Sequence, residues 1–124
     1  MVIIADLHVH SKYSRATSPS MDIENISRWA KMKGINLVGT GDFTHPDWLN
    51  EIERDVEPLG YGLYKYKDTS FVLTAEVCNI FYKNDKGRRI HNVIIAPSFS
   101  CARKINHELE RYGNLESDGR PMLE

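Results

Sequence analysis

The feature that most constrains this chain is the alternation of β-branched runs with segments of helical periodicity. Residues 2–5 are a short β-branched run, and residues 22–33 carry apolar side chains at helical spacing before Gly34. Residues 36–40 are typical of a second strand, and Pro46 stands where a second helix would begin. The order strand, helix, strand, helix predicts an α/β fold whose first strands pair in parallel. We expect the first run to be buried on both faces, as in parallel sheets.

The second half of the chain predicts a strand pair and a last helix. Residues 71–82 form a long apolar run, followed by a turn at residues 84–87 and a second run at residues 90–96. Ala102, Ile105, Leu109 and Tyr112 then recur at helical spacing. Residues 60–70 are aromatic and irregular, and their pattern assigns no element. Two βα units leave one sheet edge uncovered, which predicts self-association through that edge.

Composition limits the classes of protein that fit. The 124 residues suffice for one domain, and a formal net charge of −1 gives no overall attraction to nucleic acid. The only cysteines, Cys78 and Cys101, lack the spacing of a disulfide framework or of CxxC, which predicts free thiols in a reducing compartment. The first residues are too short an apolar run for a signal peptide or membrane span. We therefore expect a cytoplasmic location.

Two histidines follow the first strand. Residues 6–10 read Asp-Leu-His-Val-His, so His8 and His10 point to the same side of an extended chain. Paired imidazoles are common ligands of zinc, manganese and iron, and Asp6 could bind the same ion or orient one ring. The alternative is two polar residues on the solvated face of a strand. Their place at the carboxyl end of a buried strand favours the metal site.

The second strand also ends in ligand-type residues. Asp42 and His45 lie where this strand gives way to the helix that begins near Pro46. The alternative is that Asp42 or Thr44 caps that helix. Because a second strand end carries such groups, we expect Asp42 to bind metal, with His45 as a secondary candidate.

Two further candidates lie in the strand pair. Glu76 stands inside an apolar run, where a carboxylate is costly unless it is paired or bound to metal. The alternative is an edge strand with Glu76 facing water. His91 begins the next strand, where an ordinary core or surface histidine is the alternative. A carboxylate such as Glu76 can bridge two metal ions, which is the geometry of two-metal phosphoester hydrolysis.

These segments resemble the motifs of the polymerase-and-histidinol-phosphatase (PHP) superfamily of metal-dependent phosphoesterases. Residues 6–11 resemble its first motif, residues 39–42 its second, residues 75–77 its third and His91 its fourth. A finer similarity is to the endonuclease Q group of DNA-repair nucleases, which cleave beside deaminated or missing bases. That similarity is carried by three segments, residues 14–18, 39–46 and 113–121.

The resemblance implies a fold and a metal set. The fold would be the first half of a distorted seven-stranded β/α barrel, here a partial barrel, which in the intact family domain holds up to three metal ions, zinc or manganese. His8 and His10 would bind one ion with Glu76 bridging, and Glu76 and His91 would bind another. The chain departs from the family pattern at Arg15-Ala16, and at Asp42, which replaces a histidine.

The resemblance also implies a function for the longer parent protein. It would be a metal-dependent endonuclease acting on damaged DNA, with Lys86, Arg88 and Arg89 as candidate contacts to DNA phosphates. The alternatives are a phosphomonoesterase of the histidinol-phosphatase kind and a non-catalytic PHP-like scaffold.

The end of the chain suggests a piece of a longer protein. Residues 1–122 would be the N-terminal portion of a PHP-like domain, and residues 123–124, Leu-Glu, resemble a cloning remnant. The family's remaining ligands would lie beyond residue 124, so we expect the 124-residue chain by itself to be inactive.

Overall fold

The computed structural model describes residues 1–123, which form three helices and seven strands. In chain order these are β1 (Ala5–Asp6), α1 (Ile23–Lys33), β2 (Leu37–Gly39), α2 (Pro46–Asp55), β3 (Glu57–Gly60), β4 (Leu63–Tyr66), β5 (Thr69–Lys83), β6 (Lys86–Ala96), α3 (Phe99–Leu109) and β7 (Met122–Leu123). The mixed α/β class predicted from the sequence is confirmed.

The long strand β5 organises the sheet. Its first residues pair in parallel with β2, which pairs in parallel with β1, while β4 lies antiparallel on the other side and carries β3. From Leu73 onward, β5 pairs with β6 in antiparallel register, and at Cys78 and Asn79 it also pairs in parallel with β7. The early parallel pairing is as predicted. Over residues 1–123 the sheet is open, in the order β1-β2-β5-β4-β3.

The first two helices begin and end on local signals. The side chain of Asp22 caps α1 by accepting from the backbone of Asn25, and the helix ends at Gly34 with φ 71°. Pro46 lies in the first turn of α2, as predicted. The cap of α2 is His45, whose Nδ1 accepts from the backbone of Asp47 at 3.3 Å, and not Asp42 or Thr44.

The prediction of a first strand buried on both faces is wrong. Val2 is 84% exposed, and Ile3 and Ile4 are also exposed. β1 contains only Ala5 and Asp6 and has one neighbour, β2. A β-branched run is buried only where other elements cover it, and the described residues supply no second strand for this edge.

Two other segments differ from the sequence pattern. Residues 60–70, which had no assignment, complete the β3–β4 hairpin and begin β5. The last helix begins at Phe99, because Ser98 caps it by accepting from the backbone of Cys101, and it ends before Tyr112, which is exposed. Capping therefore moved this helix toward the N-terminus by about one turn.

The core joins the helices to the strands. Ile26 of α1, Trp48 of α2 and Phe71 of β5 are fully buried within one large cluster. A smaller cluster contains Val77, Leu115 and Leu123. Leu123 thus packs against the fold, whereas Glu124, the other half of the suggested cloning remnant, lies outside the described residues.

Within residues 1–123, none of the helices combines the length and the apolar character needed to span a bilayer.

Gly41 allows two chain segments to approach closely. Its φ is 65°, and a Cβ at this position would collide with the carbonyl of Val9. Gly34 also has positive φ, but a Cβ there would meet nothing. We expect Gly34→Ala to lower the free energy of unfolding by about 1 kcal/mol from backbone strain alone. Gly41→Ala should lower it by about 3 kcal/mol or more, because overpacking adds to the strain.

Urea denaturation of both variants and the unsubstituted chain measures this difference. Equal losses of stability at the two positions would contradict the close approach of residues 9 and 41.

Candidate metal centre

Three of the predicted ligands converge on one point. His8 Nε2 lies 2.7 Å from Glu76 Oε2, and His10 Nε2 lies 3.3 Å from Glu76 Oε1. One potential ligand atom from each of the three residues lies within 4.8 Å of the others. Two imidazoles and one carboxylate offer a donor set that zinc and manganese accept.

The histidines owe their position to the extended chain after β1. Val9, between them, is buried in the core, so the two imidazoles point away from the core on the opposite side. Their ring centroids lie 5.4 Å apart with the rings steeply inclined. The His8 side chain is 57% exposed and that of His10 is 24% exposed, so both remain accessible to an ion.

Glu76 is held in the interior of the sheet. It pairs with Val93 of β6 on one side, and β7 lies along β5 near Cys78 on the other. Only 6% of Glu76 is exposed, so the alternative of an edge-strand carboxylate facing water does not hold. A carboxylate buried this far requires cationic or metal partners.

Asp42 is fully buried behind His10. Its carboxylate accepts a hydrogen bond from the Ser11 backbone at 2.7 Å, another from the Ser11 hydroxyl, and one from the Ser14 hydroxyl at 2.9 Å. Its Oδ1 also lies 3.1 Å from His10 Nδ1. With Nδ1 engaged, His10 presents Nε2 to Glu76, which is how carboxylates orient metal-binding histidines.

Electrostatics in the group favour charged forms. The hydrogen bond with Asp42 raises the pKa of His10 above its ordinary value, although burial acts in the opposite direction. For Glu76, burial by itself raises the pKa, but Arg120 and the two histidines together outweigh burial and hold the pKa below its ordinary range. Glu76 is therefore an anion at neutral pH, as a metal ligand must be.

The remaining candidates lie outside this three-residue group. His91 is exposed on β6, with Nε2 4.0 Å from the Cys78 sulfur. His45 caps α2 and packs on Tyr13, with ring centroids 4.4 Å apart. Asp6 accepts a hydrogen bond from the His8 backbone at 3.1 Å.

The predicted DNA contacts lie on the β5–β6 hairpin. Lys86, Arg88 and Arg89 are exposed on β6 beside the two-residue turn at Asn84 and Asp85, both of which have positive φ. This confirms the predicted turn and places the three cations on an exposed hairpin arm.

Sequence reasoning missed a segment that crosses the site. Arg120 Nη1 lies 3.3 Å from Glu76 Oε1, and the backbone of Gly119 donates to the Tyr13 carbonyl at 2.9 Å. Ser11 and Ser14, which hold Asp42, also had no assigned role. The signals in the sequence were the resemblance of residues 6–11 to the first PHP motif and that of residues 14–18 and 113–121 to endonuclease Q, and neither resemblance gave these residues a role.

Comparisons with known proteins point to a class of enzyme. No family model matches this chain. The solved structures that it resembles are endonucleases that act on DNA lesions. One is the lesion-specific endonuclease PfuEndoQ from Pyrococcus furiosus, with a TM-score of 0.87 and 38% identity over 99% of this chain and 29% of that chain.

A second solved structure is Endonuclease Q in complex with a 27-mer duplex substrate that has an abasic lesion at the active site. Its TM-score is 0.87 and its identity 39%, over 99% of this chain and 30% of that one. A curated relative, the uncharacterized protein MJ0043 of Methanocaldococcus jannaschii, is 38% identical over 99% of this chain and 14% of its own length. The chain thus spans less than a third of each of these relatives.

Removing the charge of Asp42 should weaken metal binding without unfolding the chain. In Asp42→Asn we expect zinc affinity to fall about 10–100-fold, because His10 loses the anion that orients its ring. Competition with a chromophoric chelator measures the affinity, and circular dichroism reports the fold. The matched control is Asp47→Asn, at an exposed position in α2. An affinity within two-fold of the unsubstituted chain would contradict this dependence on Asp42.

Proposed function

We propose that this chain is the metal-binding part of a metal-dependent phosphoesterase, and that the parent protein is a DNA-repair endonuclease that cleaves beside deaminated or abasic sites. The observation that carries the proposal is the convergence of His8, His10 and Glu76 from two distant parts of the chain. The likeness to two lesion-acting endonucleases over 99% of this chain supports the substrate class.

The residues present fit a divalent ion. In our proposal, the first ion, zinc or manganese, is held by His8, His10 and Glu76. Asp42 orients His10 and does not bind the ion itself, although the sequence analysis expected Asp42 to be a ligand. A bound ion would neutralise charge on phosphoryl oxygens and make water a stronger nucleophile. The chain's own contribution is to fix the imidazole Nε2 atoms and to keep Glu76 ionised.

We extend the proposal to a second ion held by Glu76 and His91. His91 pairs directly with Cys78, which lies two residues from Glu76 on β5. Directly paired residues, and residues two apart on one strand, lie on the same face of a sheet. His91 is therefore on the face that carries Glu76, although it lies outside the three-residue group.

The hairpin arm supports DNA as the partner. Lys86, Arg88 and Arg89 are exposed near its end, where they would bind phosphates without reading sequence. A relative has been solved with a duplex substrate. Cation contacts of this kind would make DNA binding weaken steeply with salt.

The domain assignment is part of the proposal. Residues 1–122 would be the N-terminal portion of a PHP-like barrel, which agrees with an open sheet and with coverage of 29–30% of the solved relatives. The 124-residue chain alone would then not catalyse phosphodiester hydrolysis. Self-association through the uncovered sheet edge stays a prediction, and so does a cytoplasmic location. Within the described residues, both cysteines are free thiols, as the sequence predicts.

Metal uptake should depend on the two histidines. We expect the double variant His8→Ala, His10→Ala to lose bound metal, because only Glu76 of the group remains, while its circular dichroism stays unchanged. The measurement is metal content per chain after supplementation with zinc or manganese and removal of free ions. The control is His107→Ala, an exposed histidine on α3.

Unchanged metal content in the double variant would contradict the assignment of the ligands. Absence of metal from the unsubstituted chain would favour the scaffold alternative.

Substrate choice separates the endonuclease from a phosphomonoesterase. A longer protein that contains this segment should nick a duplex oligonucleotide carrying one abasic or deaminated base, and a chelator should abolish the nicking, because the ions carry the chemistry. Gel electrophoresis measures the nicking, and an undamaged duplex of the same sequence is the control. Release of phosphate from histidinol phosphate without any nicking would favour the monoesterase.

A further inference from the structure

Arg120 places a guanidinium directly beside the three candidate ligands. Its Nη1 lies 3.3 Å from Glu76 Oε1, the same oxygen that faces His10 Nε2. The Arg120 side chain is 47% exposed, whereas that of Glu76 is 7% exposed. The guanidinium thus contacts the candidate metal group while almost half of the Arg120 side chain stays exposed to solvent.

The backbone beneath Arg120 is fixed by the same loop that forms the site. Gly119 donates to the Tyr13 carbonyl at 2.9 Å, and the Arg120 backbone donates to Asp118 Oδ1 at 3.1 Å. A Cβ on Gly119 would collide with the carboxylate of Asp42. The Asp42 carboxylate therefore packs against both His10 and the chain segment that carries Arg120.

A small cavity lies next to the guanidinium. Its volume is about 40 Å³, and it is lined by His10, Ser14, Arg15, Asp118 and Arg120. A cavity of this volume has room for about one group of the size of a water molecule. A phosphoryl oxygen is about that size. Arg15 supplies a second guanidinium, which stays 81% exposed and whose Nε lies 3.6 Å from Asp118 Oδ2.

The contact of Arg120 with Glu76 leaves other N–H donors of the guanidinium unused. An arginine has five N–H donors, and strong pairs with carboxylates are shorter, at about 2.7–2.9 Å. Among residues 1–123, Glu76 is the one side chain to which the Arg120 guanidinium donates. Donors therefore remain for an anion that approaches the metal group from solvent.

We propose that Arg120 binds a non-bridging oxygen of a phosphate group held beside the metal ligands. The proposal rests on the proposed function, since it places the phosphate of a phosphoester next to His10 and Glu76. It assigns Arg120 a role that neither the metal ligands nor the hairpin cations fill. The competing role is structural, in which Arg120 only balances the charge of buried Glu76.

The experiment uses inorganic phosphate as the probe and the 124-residue chain loaded with manganese. Paramagnetic broadening of the ³¹P signal reports phosphate near the ion and gives its dissociation constant. The variants are Arg120→Gln and Arg120→Lys. The matched control is Arg111→Gln, because Arg111 makes an equally long contact of 3.3 Å with a carboxylate that is not a candidate ligand, the exposed Glu108.

We expect Arg120→Gln to raise the phosphate dissociation constant about ten-fold, the size of one lost charged hydrogen bond. Arg120→Lys should raise it less, since the charge stays but the planar fork is lost. Manganese affinity should stay the same or increase in Arg120→Gln, because a cation beside Glu76 is removed.

A phosphate affinity within two-fold of the unsubstituted chain, as expected for Arg111→Gln, would overturn the proposal. Loss of manganese binding in Arg120→Gln would also overturn it, since Arg120 would then act structurally. If the unsubstituted chain takes up neither manganese nor zinc, the proposed function fails by that measurement. The Arg120 proposal is then decided by the same comparison of phosphate affinities on the metal-free chain. There, phosphate binding is measured from the changes in amide chemical shifts.

Discussion

The buried carboxylate of Asp42 is the interaction on which the rest of the site depends. A charge that is fully removed from water is costly unless donors surround it, and Ser11, Ser14 and His10 supply them. These contacts tie the loop after β1 to the end of β2. They also fix one nitrogen of His10 and close the space above Gly119, so one anion determines the positions of both a candidate ligand and a candidate phosphate contact.

The carboxylate of Glu76 is also buried, and the groups that stabilise its charge are Arg120 and the two histidines. It lies in a strand that is paired on both sides, so its carboxylate is shielded from water yet opens toward the two histidines. Burial alone would favour the neutral acid, but Arg120, His8 and His10 favour the anion and prevail. The site is therefore arranged around a negative charge that is ready for cations, and the guanidinium beside it makes the same place receptive to a phosphate.

Several apolar side chains of the sheet are exposed within residues 1–123. Val2 and Ile3 at one end, and Val93 and Ile95 on β6, are exposed although their side chains are apolar. The two solved relatives, of which this chain covers 29–30%, are more than three times as long. Within residues 1–123, these strands therefore carry apolar side chains that no other element covers.

The sequence by itself determined the local structure and the residue types of the site. The stop of the first helix at Gly34 and the turn at Asn84 and Asp85 depend on neighbouring residues, which is why they could be predicted. His8 and His10 could be paired because side chains two apart in an extended chain share a side. Glu76 could be singled out because a carboxylate inside an apolar strand needs a partner.

Only the tertiary structure decided which of these groups meet. The contact of Arg120 with Glu76 spans 44 residues, and that of His10 with Asp42 spans 32, and no local pattern encodes such distances. For the same reason the sequence could not show that Asp42 would already be surrounded by donors, or that the first apolar run would lack a cover. Burial and long-range pairing are properties of the assembled fold, because each depends on what distant segments place around a residue.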